Sequence, residues 1–542
     1  MKLSHLLHYL GSTSHRTACR VVRCLRPKPR LPAKPTEVHV RPGVALKQPL
    51  TRCATGNGKN RFTFFNVTKS FKPARFDWKS AEMNHHWRCH LHSFDYLHDP
   101  GRSTADKVFL LNDWVVNILP GALDAWDPYP TAVRIVNWIK FFLSPGIAGS
   151  LKPGWLQSLS QQASWLERSL ECHRTAVQRI RFGKALLFAG IYFQGSDAER
   201  WRRKGARNLL PALQKQVLPD GGPVDGSPMQ QALVLEDCLD LLNLCLGQPE
   251  LAELPVRMQA WSEDMLRFLA GMSHPDGKLA LFDDSAAGAA PIWEDLADYF
   301  RRVTGMAAPC PAGDYWAYPD SGYYVMSPDS GNRVIIRGGP GGLGDRPKHA
   351  HNDLLSFELT LKWRRLIVDS GCCHFQDDEV CRHTRSNLGH NTLSIDDWGQ
   401  SPHRRLRPVK VVLANSKGKL VFGGGHEGFR HFRGRPGYRR RLTWDGRKYL
   451  IEDSLTGRNV HQVESRMHVH PDFRLVPESG KRVIVFDQEA PFAEITCPED
   501  SEIALERDWY CPELGVKRPC PVIVSRRKAA FPLRQRWIIR AL

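Results

Sequence analysis

Apolar residues recur at helical spacing through the first part of the chain. Between about residues 103 and 302 they stand three or four positions apart, most clearly over 164–193, 198–218 and 229–246, which is the pattern of helices with one buried face. The turn sequence Pro-Asp-Gly occurs twice between the helical segments. Repeated pairs of helices predict stacked helical hairpins, arranged as an α/α toroid in the form of an incomplete barrel.

The pattern changes to short apolar runs from about Tyr315. Runs such as 322–326, 333–337 and 356–361 are separated by links rich in Gly, Asp and Pro. Such runs predict strands, and the second half is therefore expected to be an antiparallel β-sandwich. The predicted fold class is α+β multidomain, with an N-terminal toroid and a C-terminal sandwich.

The same patterns divide the chain into three parts. We predict a basic, Pro-rich arm at 1–60, the toroid at 61–305 and the sandwich at 315–542. Residues 1–50 hold ten Lys or Arg against the single acid Glu37, and the stretch LRPKPRLPAKP is not expected to form a packed element. The arm either binds a membrane surface or polyanion or is a solvated tail.

The whole chain is strongly basic. Its 542 residues contain 76 Lys and Arg against 56 Asp and Glu, a net charge of +20, which favours an anionic partner such as nucleic acid, an anionic membrane or an acidic polysaccharide. No recognisable nucleic-acid-binding motif occurs, so nucleic acid is not the expected partner. No apolar run reaches the roughly 18 residues of a membrane span, so no transmembrane segment is expected. The oligomeric state stays open.

Cysteines and the N-terminal sequence bear on the compartment. Fourteen cysteines are too sparse for a disulfide scaffold, and no CxxC…CxxC pair indicates a zinc ribbon. The sequence MKLSHLLHYLGS makes a poor signal peptide because His5 and His8 interrupt its apolar stretch. On this segment alone a cytoplasmic location is the simplest expectation, and an export route stays open.

The densest group of ligand-type side chains lies in the predicted sandwich. His349, His351 and Asp353 alternate along one segment, Asp369 follows His351 by eighteen residues, and His390 comes later in a His-Asn-Thr motif. Alternate residues of a strand share a face, and His and Asp are ordinary ligands of zinc and related divalent metals. The group is either a metal site or a buried polar network.

Long motifs around these residues carry a family resemblance. The segments HAHNDLLSFELTLKWRRLIVDSG and RHTRSNLGHNTLSIDDWGQS, with FGKALLFAGIYF and LPDGGPVDGSPMQQALVLEDCLDLLNL upstream, resemble the heparinase II/III-like polysaccharide lyases. The resemblance covers about residues 85 to 470 in collinear order and is closest to members found among surface-polysaccharide genes. It implies a toroid followed by a sandwich, β-elimination on uronate-containing polysaccharide, and a location in the cell envelope or periplasm.

The resemblance also implies site residues. His349 matches the catalytic His of the family, and His351, Asp369 and His390 match its metal ligands. The implied cofactor is a divalent metal, with zinc expected first and calcium or manganese as alternatives. The implied partner is an acidic polysaccharide.

The toroid half departs from the family pattern at the positions that carry the chemistry. The family's Asn and His positions hold Val177 and Gln178, and its Tyr position holds Gln230. A glutamine amide does not titrate near neutral pH. Two hypotheses follow: another residue, His349 first, is the base, or the chain is a pseudo-lyase that binds a surface polysaccharide or assists its biosynthesis.

Several other residues are candidate substrate contacts. Aromatic faces stack on sugar rings, and guanidinium and amide groups bind carboxylates; the alternative for the helical residues is core packing. The candidates are Gln178, Arg181, Gln230, Trp126, Tyr129, Arg134, Asn137 and Arg385.

Two further sequence features have competing interpretations. Six arginines lie within residues 430–441 without an acid, and they form either a polysaccharide surface or the alternating outward faces of strands. A glycosidase would need paired carboxylates, and the pairs Glu236–Asp237 and Asp283–Asp284 are the obvious ones, although sequence neighbours on a helix point to different faces. We rank a glycosidase below a lyase.

Overall fold

The structure is a computed structural model. It describes residues 31–51, 60–72, 76–122, 124–170, 175–246, 248, 251, 253–339, 351–399, 411–478 and 481–542.

The first half of the chain is helical, as the apolar spacing predicts. A short antiparallel hairpin, β1 (Arg61–Phe64) and β2 (Val67–Ser70), precedes it. The helices are α1 (His85–Ser93), α2 (Thr104–Asn117), α3 (Pro128–Phe142), α4 (Pro153–Ser169), α5 (Ala176–Tyr192), α6 (Ser196–Gln216), α7 (Pro228–Cys245), α8 (Glu253–Met272) and α9 (Trp293–Thr304).

Helices α5 and α6 pack closely because each has a glycine at the crossing. A Cβ on Gly183 would lie 2.9 Å from the carbonyl oxygen of Gly205, and the reverse distance is 2.8 Å. Charged side chains also meet inside this half: the Asp240 carboxylate of α7 lies 2.6 Å from Lys140 Nζ and 2.5 Å from Lys184 Nζ. Helices α3, α5 and α7 are thereby joined by a buried ion cluster.

Part of the predicted N-terminal arm is packed, which corrects the expectation for residues 31–51. Val40 forms an isolated bridge with Phe193, and Lys47 donates its backbone N–H to Asn243 and its ammonium to the Val303 carbonyl. The segment uses backbone hydrogen bonds along the helices instead of forming its own element. Residues 1–30, which carry most of the basic charge of the predicted arm, and residues 52–59 lie outside the described residues.

The second half consists of antiparallel strands and one short helix, α10 (Glu379–Thr384). The strands are β3 (Tyr315–Tyr318), β4 (Tyr323–Asp329), β5 (Asn332–Arg337), β6 (Phe357–Leu361), β7 (Arg364–Ile367), β8 (Leu393–Ile395), β9 (Val412–Ser416), β10 (Lys419–His426), β11 (Gly437–Trp444), β12 (Lys448–Thr456), β13 (Val460–His468), β14 (Phe473–Glu478), β15 (Arg482–Asp487), β16 (Ala490–Thr496), β17 (Glu502–Tyr510), β18 (Arg518–Ala530) and β19 (Leu533–Ala541).

These strands form three sheets around a shared core. Their orders are β3-β4-β5-β6-β7, β17-β18-β13-β8 and β14-β15-β16-β19-β12-β11-β10-β9. Ile336, Val463 and Trp537, one from each sheet, belong to a single hydrophobic cluster. The predicted fold class, a helical half followed by an antiparallel sandwich, is confirmed.

Polar contacts join the two halves. His274, which follows α8, bonds to Glu358 and Thr360 of β6 at 2.7 and 2.8 Å, and Arg365 of β7 pairs with Asp276. No helix among the described residues has the length and apolar character to cross a membrane.

Candidate functional site

The three predicted metal ligands converge in the interior of the sandwich half. His351 precedes β6, Asp369 follows β7, and His390 lies between α10 and β8. All three are buried, and one potential ligand atom from each lies within 4.8 Å of the others. The structure thus brings together side chains that are 18 and 21 positions apart in sequence.

Their hydrogen bonds leave two imidazole nitrogens available. His351 Nε2 bonds to Asp284 at 2.9 Å, and His390 Nδ1 bonds to Asp369 at 2.7 Å. His351 Nδ1 and His390 Nε2 are buried and have no hydrogen-bond partner among the described residues. Two free imidazole nitrogens and a carboxylate fit a divalent cation of the zinc class, and carboxylates behind ligating histidines are typical of such sites. Occupancy by a metal stays a prediction.

The surroundings of the three ligands are acidic. Asp353 is buried, and neither of its carboxylate oxygens has a hydrogen-bond partner among the described residues, although Arg337 Nε lies 3.8 Å from Oδ1. Burial together with the charge of Asp283 raises the pKa of Asp353 to about 7. Burial and the neighbouring His351 lower the pKa of His390 to about 3, so its ring is neutral, as a metal ligand must be. Arg337 lies 3.2 Å from Asp283 and partly balances the group.

A loop of the helical half supports this centre. The backbone N–H of His351 donates to Asp283 Oδ1 at 3.0 Å, while Ser285 Oγ lies 2.8 Å from Ser227 Oγ at the start of α7. Gly226 allows this approach, because a Cβ there would stand 2.2 Å from Asp283 Oδ2. The loop at 283–285 therefore joins the first turn of α7 to the three ligands.

Gln230 lies in that first turn. Its backbone N–H donates to the Ser227 hydroxyl at 3.2 Å, which caps the helix. Its side-chain Nε2 is buried and has no hydrogen-bond partner among the described residues. The Gln230 amide is therefore a hydrogen-bond donor without an acceptor in the described part of the protein.

Arg181 of α5 and Tyr129 of α3 form a polar pair in the helical half. Arg181 Nη1 donates to the Tyr129 hydroxyl at 3.0 Å, and Arg181 Nε lies 3.7 Å from Asp237. Both Arg181 and Tyr129 are partly exposed. Asp237 follows Gln230 by two turns of α7, so the two lie on the same side of that helix.

Gln178 has a structural role. Its Oε1 accepts the Thr175 backbone N–H at 3.3 Å and its own N–H donates to the Thr175 hydroxyl, which is a capping box at the start of α5. The side-chain oxygen is used by the helix, and the amide nitrogen takes no part in the capping box.

Three predicted groove residues are buried, which corrects that prediction. Arg134 is fully buried and donates to Gln162 and to the carbonyls of Ala125 and His92, and Asn137 donates to the Ser93 carbonyl. Trp126 is 3% exposed. Arg134 and Asn137 satisfy backbone carbonyls and Trp126 fills the core, so these side chains present no surface to a sugar.

Arg385 is partly exposed but already paired. It donates through Nε and Nη2 to the two oxygens of Asp284, at 3.0 and 2.7 Å. Its charge therefore helps to hold the acidic group in place. His349, the predicted catalytic residue, lies outside the described residues.

The arginines of residues 430–441 divide by strand face. Arg440 is buried and pairs with Asp453 at 2.7 Å, whereas Arg439 and Arg441 point outward. Together with Arg534 of β19 they border a groove of about 770 Å³ on the outer face of the large sheet. Arg439, Arg441 and Arg534 have no ion-pair partner in the described part of the chain. The two outward strand positions are thus Arg439 and Arg441, whereas Arg440 points inward and Arg430 is paired with Glu427.

Some supporting residues carry a partial signal in the sequence. Asp283 and Asp284 are one of its acidic pairs, and because the pair lies in a loop, both carboxylates contact His351, one at the backbone N–H and the other at Nε2. Asp353 shares the alternating segment with His351. The pairing of Arg181 with Tyr129 joins positions 52 apart, and no local pattern indicates it.

Comparison with known families accounts for both halves. Residues 53–303 match the family model described as heparinase II/III N-terminus, and residues 311–538 match the one described as heparinase II/III-like, C-terminal. The two matches are collinear and together span most of the chain.

Two curated relatives are similar over part of their length. A heparin-sulfate lyase of Pedobacter heparinus is 24% identical over 296 residues, which is 50% of this chain and 44% of the relative. FtsZ-localized protein C of Caulobacter vibrioides is 24% identical over 359 residues, which is 58% of this chain and 57% of the relative. The chain spans about half the length of these curated relatives.

Solved structures share the fold. A heparinase III aligns with a TM-score of 0.65 at 17% identity, covering 86% of this chain and 81% of that one. A mutant of the heparan sulfate lyase HepC from Pedobacter heparinus aligns with a TM-score of 0.62 at 19% identity, covering 89% and 81%. At this identity the likeness is one of architecture.

Proposed function

Because this chain belongs to the heparinase II/III-like family, we propose that it acts on an acidic, uronate-containing polysaccharide as a lyase. The observation that carries the proposal is the Arg181–Tyr129 pair, a cation and a phenol 3.0 Å apart on partly exposed side chains of α5 and α3. It offers a carboxylate-binding group and a proton-transfer group together, and the family's tyrosine position holds Gln230, whose amide does not titrate near neutral pH.

Elimination makes three chemical demands. A base removes the proton from the carbon beside the carboxylate, the bond to the glycosidic oxygen breaks as a carbon–carbon double bond forms, and an acid returns a proton to the departing oxygen. The carboxylate must be neutralised so that this proton becomes acidic. Arg181 suits the neutralisation of the carboxylate, with the Gln230 amide as a second donor. Tyr129 or His349 suits the transfer of the proton.

We further propose that His351, Asp369 and His390 hold a divalent cation, zinc first, with calcium or manganese as alternatives. A bound cation supplies charge neutralisation within the acidic group. The protein's own contribution is to hold His351 against the helical half, through the contacts that Asp283 and Asp284 make with its backbone N–H and its Nε2.

The exposed arginines of the large sheet suit the same class of substrate. Arg439, Arg441 and Arg534 present guanidinium groups along a groove, and guanidinium binds carboxylate or sulfate in two-point geometry. We propose that a long acidic chain contacts this surface as well. A location in the cell envelope or periplasm goes with such a substrate.

One set of observations favours a second function, a pseudo-lyase that binds a polysaccharide without cleaving it. The family's Tyr position is Gln230, and the Gln178 oxygen is used in a capping box. Neither amide can serve as a base. Binding without turnover then depends on Arg181 and the arginine surface.

The deciding experiment is a lyase assay on a panel of uronate polysaccharides, followed by the ultraviolet absorbance of the unsaturated product. We expect turnover in the unaltered protein, and its loss in Tyr129→Phe or His349→Ala identifies the acid–base residue. Tyr315→Phe, on the exposed strand β3, is the matched control. Absence of turnover, together with retained binding and a gain of turnover in Gln230→Tyr, would establish the pseudo-lyase instead.

A further inference from the structure

A second group of potential metal ligands lies in the helical half, separate from His351, Asp369 and His390. His85 and Cys89 stand one turn apart on α1, and Asp127 immediately precedes α3. One potential ligand atom from each lies within 4.8 Å of the other two. Imidazole, thiolate and carboxylate are the three ligand types that zinc takes in proteins.

The spacing of the donor atoms is that of a tetrahedral site. His85 Nε2 lies 3.5 Å from Cys89 Sγ and 3.7 Å from Asp127 Oδ2. A nitrogen and a sulfur bound to one tetrahedral zinc at about 2.1 and 2.3 Å stand about 3.6 Å apart. The side chains therefore need little movement to close on an ion.

The other nitrogen of His85 is held as in known metal centres. His85 Nδ1 bonds to Asp124 Oδ1 at 2.7 Å, and Arg88 Nε donates to Asp124 Oδ2 at 2.7 Å. A carboxylate behind a ligating imidazole fixes the tautomer and the ring orientation. With the Nδ1 proton on the Asp124 side, the Nε2 lone pair faces Cys89 and Asp127.

Exposure differs across the three ligands in a way that leaves an entry path. Cys89 is buried at 6% exposure, whereas the side chains of His85 and Asp127 are 51% and 44% exposed. The thiol thus sits at the base of the group, and the two other ligands stand at its rim. A fourth ligand would come from solvent.

We propose that His85, Cys89 and Asp127 form a binding site for a divalent cation of the zinc class, with Asp124 as the supporting carboxylate and water at the fourth position. The ion would join α1 to the start of α3. Tyr129 lies two residues beyond Asp127, so the site would also hold the helix turn that carries Tyr129. The proposal does not depend on whether the chain catalyses elimination.

Cobalt is the probe that distinguishes this site from the first, which contains no cysteine. The full-length protein is stripped of metal with a chelator and titrated with Co²⁺, and absorption is recorded for thiolate-to-cobalt charge transfer. We expect saturating Co²⁺ to produce the band in the unaltered protein, and one equivalent to produce it in His351→Gln, in which the first group of ligands is incomplete. We expect the band to disappear in Cys89→Ser and to persist in Cys381→Ser, a matched control at another buried cysteine.

Two further variants keep the test independent of folding defects. His85→Gln changes a half-exposed side chain, and circular dichroism checks its fold. Asp124→Asn removes only the supporting carboxylate and is expected to weaken cobalt binding by about 10- to 100-fold. A titration without the charge-transfer band, or a band that survives in Cys89→Ser, would overturn the proposal. The contacts of His85 with the two aspartates would then be the whole role of the group.

Discussion

Arg385 and Asp284 form a two-point ion pair, with Nε–Oδ1 and Nη2–Oδ2 distances of 3.0 and 2.7 Å. The same Oδ1 atom bonds to His351 Nε2 at 2.9 Å. Asp284 belongs to a loop of the helical half, whereas its two partners belong to the sandwich half. The Asp284 carboxylate of the helical half therefore holds both the candidate metal ligand His351 and the guanidinium of Arg385 in the sandwich half.

Replacing this carboxylate is expected to destabilise the protein strongly. Asp284 is 2% exposed, whereas Arg385 is partly exposed, so water screens part of the charge that the substitution leaves unpaired, and the loss should fall below the value of about 3–5 kcal/mol for a fully buried pair. Because His351 Nε2 also loses its carboxylate partner, we expect Asp284→Asn to lower the free energy of unfolding, measured by urea denaturation, by about 2–3 kcal/mol. Asp264→Asn, which breaks the exposed pair with Arg267, should cost less than about 1 kcal/mol. Equal losses in the two variants would contradict the buried role of Asp284.

The candidate metal centre makes a stoichiometric prediction. His390→Gln removes one of the free imidazole nitrogens, so we expect the zinc content, measured by elemental mass spectrometry after dialysis against zinc, to fall by one ion per chain. His426→Gln is the control: His426 is also buried and lacks a partner for Nε2 among the described residues, but it belongs to neither of the ligand groups found among the described residues. An unchanged zinc content in His390→Gln would favour the alternative, a buried polar network.

The arginine groove predicts a salt-dependent contact with acidic polysaccharide. We expect the triple variant Arg439→Gln, Arg441→Gln, Arg534→Gln to bind heparin about tenfold more weakly at low salt, since each exposed charge contributes up to about 1 kcal/mol. The effect should shrink as salt rises. The matched triple variant removes the same charge from exposed positions elsewhere on the sandwich: Arg447→Gln, Arg474→Gln and Arg507→Gln. Equal weakening by both sets would mean that net charge, and not this groove, attracts the polymer.

The sequence predicted the architecture better than the element ends. Apolar spacing runs without a break over 164–193, yet two helices, α4 and α5, share this stretch, because Thr175 caps a new helix and the periodic pattern does not register the interruption. The strand expected at 322–326 continues to Asp329. Periodicity reports which face is buried, whereas caps and turns decide where an element ends.

For the site, the family resemblance indicated His351, Asp369 and His390 as one group, and these three side chains do lie together. Prediction from residue patterns failed where tertiary packing decides. Arg134 does not line a groove, because its donors satisfy the carbonyls of Ala125 and His92, and no local pattern separates such an arginine from one that faces a ligand. The contacts of Asp284 with His351 and Arg385 depend on how a loop of the helical half packs against the sandwich half.

His426 predicts how stability depends on pH. Burial and the nearby Arg440 lower the pKa of His426 to about 3, whereas the unfolded chain has an ordinary histidine pKa of about 6.5. Between these values the unfolded state binds more protons, so this residue makes the folded state less stable as the pH falls from 6.5. From pH 6.5 to 4.5 it should cost about 2 kcal/mol.

His426→Gln cannot titrate, and its glutamine can still accept the Gly428 N–H that His426 Nδ1 now accepts. Urea unfolding at stepped pH should therefore show a smaller loss of stability with falling pH in His426→Gln than in the unaltered protein. The control is His39→Gln, whose side chain is 72% exposed; it should lose as much stability as the unaltered protein. Parallel curves for the unaltered protein and His426→Gln would show that His426 takes up its proton in the folded state and would contradict the prediction.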